Sequence, residues 1–487
     1  MKKLLKVLLI SILVIAFSLT LFACVTPEDQ GDQNDQTDNG TGEGTDLGGD
    51  NLGGGNDTPI TPTPDSPDKD GISTTENIFV FEENAQKTGF ILKAVTVKSG
   101  TVVIPSDNMG KPVVAIAPLV FYSNDTLVEV TIPDTVESIG ERAFSACYNL
   151  TTVNFGANSK LKTIGNRAFF NCERLESGSL PVSVKEIGTE AFMNCVEYSV
   201  SDSQSATLSD YTFDKLGYSA FHNTKWLNNN TLDGDIRIGK CAYAFTKAEQ
   251  GQTYEIEYTQ ADTLTIAEKA LYGAKAVTSV RIGAQITYIG EKALCNMPDL
   301  TAITVDEGNA YYASVGNCLI EKATGRVLAG VADSVIPTTA TAIGREAFAF
   351  RRDITSLTIS SSVKTIEPNA FEGSSLTSIT LPESVTVISE RVFLDCANLQ
   401  SIHIKSGVTE IKSAAFNGCT SLKEVIIDSE AILELCIGKI TSPAGLMAYA
   451  ETVYVKEGME ASSPYLISNF SVAQSDKDGY IKYQINK

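Results

Sequence analysis

Between residues 102 and 422 one unit of about 23 residues keeps returning, and that period decides what the chain can fold into. VEVTIPDTVESIGERAFSACYNL covers 128–150, TTVNFGANSKLKTIGNRAFFNCERL covers 151–175 and ESGSLPVSVKEIGTEAFMNCVEY covers 176–198. A degenerate unit precedes them at 102–127, and further units occupy 278–300, 333–354, 355–376, 377–399 and 400–422. The shared pattern is L-x-x-V-x-I-P-x-x-V-x-x-I-G-x-x-A-F-x-x-C-x-x-L. V-x-I has the two-residue burial period of a strand. Proline then ends it, because it cannot donate to a ladder. V-x-x-I-G predicts a second short extended segment with a tight bend at glycine. A-F-x-x-C-x-x-L spaces its apolar residues by about three, which predicts a short helical or 3₁₀ turn. One such unit cannot bury its own apolar side. Stacked units share one core, so the chain is expected to be a solenoid.

The repeated I-G-x-x-A-F-x-x-C step resembles the BspA-type leucine-rich repeat family of bacterial surface proteins. Its carriers are Ile139-Gly140, Ala143-Phe144 and Cys147; Ile164-Gly165, Ala168-Phe169 and Cys172; and Ile187-Gly188, Ala191-Phe192 and Cys195. Partial copies stand at Ala370-Phe371, at Phe393 with Cys396, and at Ala415-Phe416 with Cys419. The resemblance covers roughly residues 95–425. It implies a β-rich α/β solenoid: a right-handed superhelix of ~23-residue coils with a parallel sheet on its concave face, short 3₁₀ or helical turns and a C-terminal β cap. Two departures read as ordinary drift: Leu294 at a phenylalanine position and Arg351 at a cysteine position.

The expected layout follows. Residues 1–24 are a lipoprotein signal peptide and 25–75 an acidic tether. Residues 76–198 hold the N-terminal repeats, 199–262 an irregular island, 263–435 the C-terminal repeats and 436–487 the cap. The stretches 221–245 and 305–330 read as insertions, in the form of hairpins or longer coils.

The first 24 residues place Lys2, Lys3 and Lys6 before an apolar run that closes on Leu21-Phe22-Ala23-Cys24. That ending resembles a bacterial lipobox, which implies that Cys24 is lipidated and becomes the mature N-terminus. Acyl chains then anchor the protein, each buried CH₂ contributing ~0.8 kcal/mol. Residues 25–75 carry 10 glycines, five prolines, 12 acidic residues and one lysine. Such a segment cannot bury enough apolar surface to offset chain entropy. As a flexible coil it would span roughly 40 Å.

Chemistry is harder to find. A net charge of −21 argues against a nucleic-acid partner, which needs a basic face. No phosphate-binding loop, H-E-x-x-H or G-x-S-x-G occurs. The two histidines, His222 and His403, are far apart in sequence, which weakens histidine-based metal sites and triads but not carboxylate chemistry; the outward strand positions hold no carboxylate pair and no nucleophile beside a base, so no catalytic role, metal or cofactor is expected. Cys147, Cys172, Cys195, Cys396 and Cys419 share one repeat position. Stacked coils would place them about 4.8 Å apart and pointing alike, so buried free thiols are expected there. The state of Cys241, Cys295, Cys318 and Cys436 stays open.

Solenoids usually bind on the sheet, whose outward residue is the middle of V-x-I. That position reads Thr131, Asn154, Ser179, Arg281, Thr304, Thr358, Thr380, His403 and Ile426. Threonine fits any exposed strand; the same column also suits a polar face for a ligand. A second candidate is the island, where Phe221, His222 and Trp226 offer aromatics that either stack on a sugar or pack the insertion down. The family resemblance implies adhesion, so a protein or glycoprotein ligand is expected at the surface of the cell, with capture of a glycan or solute as the alternative. The membrane is touched through the N-terminal lipid, and the chain is expected to be monomeric.

Overall fold

Each V-x-I step forms a strand, and successive strands stack in parallel at the period of the repeat. In the computed structural model Glu129–Ile132 lies between Thr101–Val103 and Thr152–Phe155, with Val130 opposite Val153 and Thr131 opposite Asn154. Val130 and Ile132 point inward, Glu129 and Thr131 outward. The described residues are 78–96, 100–176, 180–199, 211–229, 235–245, 252–437, 445–459 and 470–485. They fall in the unit Ser73–Lys487.

The I-G step builds a second parallel ladder. Lys111–Ile116 is followed by the two-residue strands Ser138–Ile139, Thr163–Ile164, Glu186–Ile187 and Lys215–Leu216. Glycine follows the strand because the coils nearly touch there. A Cβ on Gly165 would sit 2.7 Å from the Glu141 nitrogen of the preceding coil.

The expected short turns follow, with a further feature. Ala143, Ser145 and Cys147 donate to the carbonyls of Gly140, Arg142 and Phe144, which are 3₁₀-type bonds. The residues between them, Arg142, Phe144 and Ala146, donate instead to Asn166, Ala168 and Phe170 of the next coil. Arg142 and Ala146 take left-handed backbone angles, φ 52° and 59°, and the equivalent Arg167, Asn171, Glu190 and Asn194 do the same. A non-glycine residue there costs ~1–2 kcal/mol. The left-handed turn frees its N–H to bond the neighbouring coil, and that bond with its packing offsets the cost.

Inside the turn the phenylalanines stack. Phe121, Phe144, Phe169, Phe192 and Phe221 follow one another at centroid spacings of 4.7, 5.0, 5.0 and 5.3 Å, all nearly parallel. Phe348, Phe371, Phe393 and Phe416 form a second column at 5.6, 5.5 and 5.3 Å. The repeat cysteines close the column from behind. The thiols of Cys147, Cys172 and Cys195 donate to the carbonyls of Phe121, Phe144 and Phe169 at 3.0–3.1 Å, and Cys396 and Cys419 do the same to Phe371 and Phe393. The position therefore selects a small apolar group that can still satisfy a buried carbonyl. All eight cysteines with described side chains are buried and free, including Cys241, Cys295 and Cys318. Burial pushes the Cys396 thiol up to about 11. The thiolate is the reactive species. Iodoacetamide under native conditions at neutral pH should therefore leave Cys172 and Cys396 unmodified for hours, and mass spectrometry showing them alkylated as fast as in the denatured chain would contradict their burial.

Two insertions interrupt the stack. Residues 235–245 form an antiparallel hairpin, Asp235–Ile238 with Cys241–Phe245, whose second strand rejoins the I-G ladder beside Thr265–Ile266. Residues 312–330 form a three-stranded meander, Tyr312–Val315, Cys318–Glu321 and Arg326–Gly330, whose last strand rejoins beside Ala342–Ile343. This meander divides the interior. One core runs from Leu92 to Val331 and a second from Cys318 to Tyr483, with Leu319 in the first and Cys318 and Ile320 in the second.

The ends are capped differently. At the N-terminal end the hairpin Ile78–Glu83 with Phe90–Thr96 covers the I-G ladder. At the C-terminal end Thr452–Lys456 extends the V-x-I ladder beyond Glu424–Ile427, and Tyr480–Ile485 pairs with it antiparallel. Phe470–Ala473 is the outer strand, joined through a turn at Asp476-Lys477-Asp478-Gly479 with Gly479 at φ 77°.

Candidate functional site

The outward column of V-x-I residues is real but broken into blocks. Thr131 and Asn154 share the first sheet, Arg281 and Thr304 the second, Thr380 and His403 the third. Ser179 and the expected lipid anchor Cys24 lie outside the described residues. Several members are already engaged. Asn154 donates to Glu129 at 2.7 Å, Arg281 pairs with Asp306 at 3.0 Å, and Ile426 is buried. Thr304, Thr358 and Thr380 are exposed.

His403 belongs to a cluster that the repeat pattern does not announce. Its Nε2 donates to Asp428 at 3.0 Å, while the Tyr480 hydroxyl donates to the other Asp428 oxygen at 2.7 Å and Lys405 lies 3.2 Å from that carboxylate. Burial by itself would raise the Asp428 carboxyl, but the hydrogen bonds from Tyr480 and His403 outweigh it and hold the group below the usual range. Tyr480 is pushed up to about 12 by burial and by its bond to Asp428. A histidine of the outward column is thus tied to the cap. Tyr480 lies 77 positions away on the antiparallel strand, and no repeat signal points to it.

The island residues are placed by the repeat itself. Leu216-Gly217, Ala220-Phe221, Thr224 and Leu227 match I-G-x-x-A-F-x-x-C-x-x-L with leucine for isoleucine and threonine for cysteine. A full turn of the solenoid therefore sits inside the segment read as irregular. Phe221 is 1% exposed and stacks on Phe192; Trp226, 4% exposed, meets Phe221 edge-on at 5.5 Å. Neither ring has a face for a sugar, because both fill the core. His222 is exposed.

The meander opens the surface on both ladders. On the V-x-I side residues 356–359 form a single bridge, Ser356 to Ser378, in place of a strand. A groove of about 320 Å³ opens there, lined by Ser356, Thr358, Ser378 and Thr380 above Leu357 and Ile359. On the I-G side Tyr288–Ile289 ends one sheet and Arg326–Gly330 belongs to the next. The cleft between them has a volume of about 260 Å³, and Lys215, Glu268, Tyr288, Glu291, Arg326 and Arg345 are among its walls.

The Arg351 side chain is 3% exposed. It donates to the carbonyls of Met297 and Leu300 at 2.6 Å each and pairs with Asp353. The substitution at this cysteine position is therefore a joint across the meander and not drift. Leu294 at the phenylalanine position fills the same core place with a smaller side chain.

A family model described as a BspA type leucine rich repeat region matches residues 114–250, 198–318 and 330–435, in six copies. Among solved structures, a leucine rich cell surface protein from Faecalibacterium prausnitzii shares 24% identity over 82% of this chain and 98% of its own, with a TM-score of 0.42. The pneumococcal vaccine antigen PcpA shares 18% identity over 74% of this chain and 82% of its own, TM-score 0.35. A leucine-rich repeat protein from Eubacterium ventriosum shares 18% identity over 83% of this chain and 100% of its own, TM-score 0.34. No curated protein matches.

Proposed function

The chain belongs to the BspA-type leucine-rich repeat family, and from that premise we propose that it is a lipid-anchored surface protein of a bacterium that binds a protein or glycoprotein ligand through its V-x-I face. The observation that carries this reading is the groove at the second break in that face. There the exposed hydroxyls of Thr358 and Thr380 stand beside Ser356 and Ser378 over an apolar floor. Donors and acceptors at a strand spacing over a dry floor suit an irregular polar surface with apolar anchors. The alternative, capture of a glycan or solute at the island, loses its aromatic platform to the core. Among the described residues no helix is long and apolar enough to cross a membrane, and the anchor is assigned to Cys24 on the lipobox resemblance.

Two experiments test the reading. The secreted chain is offered to immobilised matrix proteins, mucins and a glycan array at physiological salt, beside a variant carrying Thr131→Ala, Thr358→Ala and Thr380→Ala. Binding to a protein or mucin should weaken by at least tenfold in the variant; binding that ignores all three changes would remove the face from consideration. Separately, Cys24→Ala should move the protein from the membrane fraction to the medium. Retention on the membrane without an acylated N-terminus would end the lipoprotein assignment.

A further inference from the structure

The cleft on the opposite ladder is lined by charged side chains of both signs, and nothing in the adhesion reading uses it. Its volume, about 260 Å³, lies just below the roughly 300–1,000 Å³ of drug-sized ligand sites. It suits one ring better than a chain of rings. Its walls come from both sides of the meander, so the same insertion that separates the two cores creates the opening.

The charges in it are unequally committed. Arg326 holds Glu367 through two bonds, at 2.7 and 2.5 Å, and lies 3.5 Å from Glu291. Lys292 is paired with Glu346. Among the described residues the side chains of Lys215 and Arg345 have no ion-pair or hydrogen-bond partner; the Arg345 backbone N–H, not its guanidinium, meets Glu367. A chain with a net charge of −21 thus holds two spare cations at an indentation. The carboxylates beside them are fixed in place. Glu268 accepts from the Thr189 hydroxyl at 2.8 Å and Glu321 from the Thr324 hydroxyl at 2.5 Å. Each carboxylate oxygen has lone pairs left over to accept further donors.

Spare cations next to oriented acceptors call for a ligand that is an anion and a hydroxyl donor at once. A metal ion would face Lys215 and Arg345. A bare phosphate would set up to two negative charges against three carboxylates, with one or two hydrogens to share among them. A neutral sugar would accept hydrogen bonds from both cations but leave their charge uncompensated. We propose that this cleft binds an acidic sugar residue, its carboxylate held by Lys215 and Arg345 and its hydroxyls donating to Glu268, Glu291 and Glu321. The guanidinium fork of Arg345 suits a carboxylate in two-point contact. Tyr288 adds a ring wall against which the sugar face can lie.

The test uses the full chain and two glycosides that differ at one carbon, methyl β-D-glucuronide and methyl β-D-glucoside. Titration by NMR or calorimetry at low salt should show saturable binding of the glucuronide at least tenfold tighter than the glucoside. Arg345→Gln should weaken glucuronide binding at least tenfold, Lys215→Gln should do so less, and raised salt should weaken it in the parent chain. Thr380→Ala, in the groove on the other ladder, should leave it unchanged, which separates this site from the adhesion face. Equal binding of the two glycosides, binding of neither, or glucuronide binding indifferent to Arg345→Gln would overturn the proposal. So would displacement of the glucuronide by a short acidic peptide of higher affinity, which would make the cleft a peptide site. The wild-type comparison decides the matter even if a variant fails to fold.

Discussion

Phe169→Ala should lower the stability of the array by ~3–5 kcal/mol, the range for a buried phenylalanine cut to alanine. Phe169 is 1% exposed and lies between Phe144 and Phe192, each 5.0 Å away and nearly parallel. Alanine would empty a ring's volume and break two stacked pairs at once. The neighbouring backbone cannot close the gap, because it is fixed by ladder bonds such as Phe144 to Ala168 and Phe169 to Ala191. In a solenoid the damage stays with the nearest coils. Hydrogen exchange should therefore rise around 139–198 and stay low around 388–427. The array carries its own control: Leu271 and Leu294 occupy the phenylalanine place in two coils and are buried. Phe169→Leu should accordingly cost less than Phe169→Ala, because leucine refills most of the volume while the two stacked pairs are still lost. A denaturation midpoint for Phe169→Ala equal to that of the parent would mean that the ring is not core and that the whole register is misread.

The register is legible because each coil repeats the same demand. Val130, Ile132, Ile139, Phe144 and Cys147 are buried for reasons visible in their spacing, and the stack multiplies the signal. Features that occur once lack that reinforcement. The coil at 214–227 is hard to see because leucine replaces isoleucine and threonine replaces cysteine, and because the sequence on either side of it departs from the period. Thr224 satisfies its buried hydroxyl within its own coil: it donates to the Phe221 carbonyl at 2.8 Å and accepts from the Leu227 N–H, whereas the repeat cysteines donate to the preceding coil. The outward column is legible residue by residue, but its breaks are not. They depend on where the two insertions rejoin the ladders, which is a matter of pairing and not of period. The contacts His403 to Asp428, Arg326 to Glu367 and His403 to Tyr480 join residues 25, 41 and 77 positions apart across separate elements. No local pattern encodes such meetings.

Arg351→Ala should cost about 3 kcal/mol or more, since removing one member of a buried, hydrogen-bonded charge pair typically costs ~3–5 kcal/mol. The low end applies because the partner Asp353 keeps about a third of its side chain in water, 32%, and recovers some hydration. The Arg351 guanidinium also bonds the carbonyls of Met297 and Leu300, which stand on the far side of the meander. Alanine would leave both without this donor in a region closed to water. The position matters more than its energy suggests. The cores on the two sides of the meander are separate clusters, and Arg351 is a polar tie between a coil of the first, at Met297 and Leu300, and a coil of the second. Its loss should weaken the coupling between the two halves, so that a single denaturation transition becomes two. Arg351→Lys should fall between parent and alanine, because one ammonium cannot reproduce a planar fork that serves two carbonyls and a carboxylate. Arg351→Met keeps the length of the side chain but none of its donors, and it should destabilise nearly as much as alanine if the hydrogen bonds are what count. If the Arg351→Met variant were as stable as the parent, the arginine would be acting as packing alone, and the two halves would have to be held together by the meander's apolar contacts.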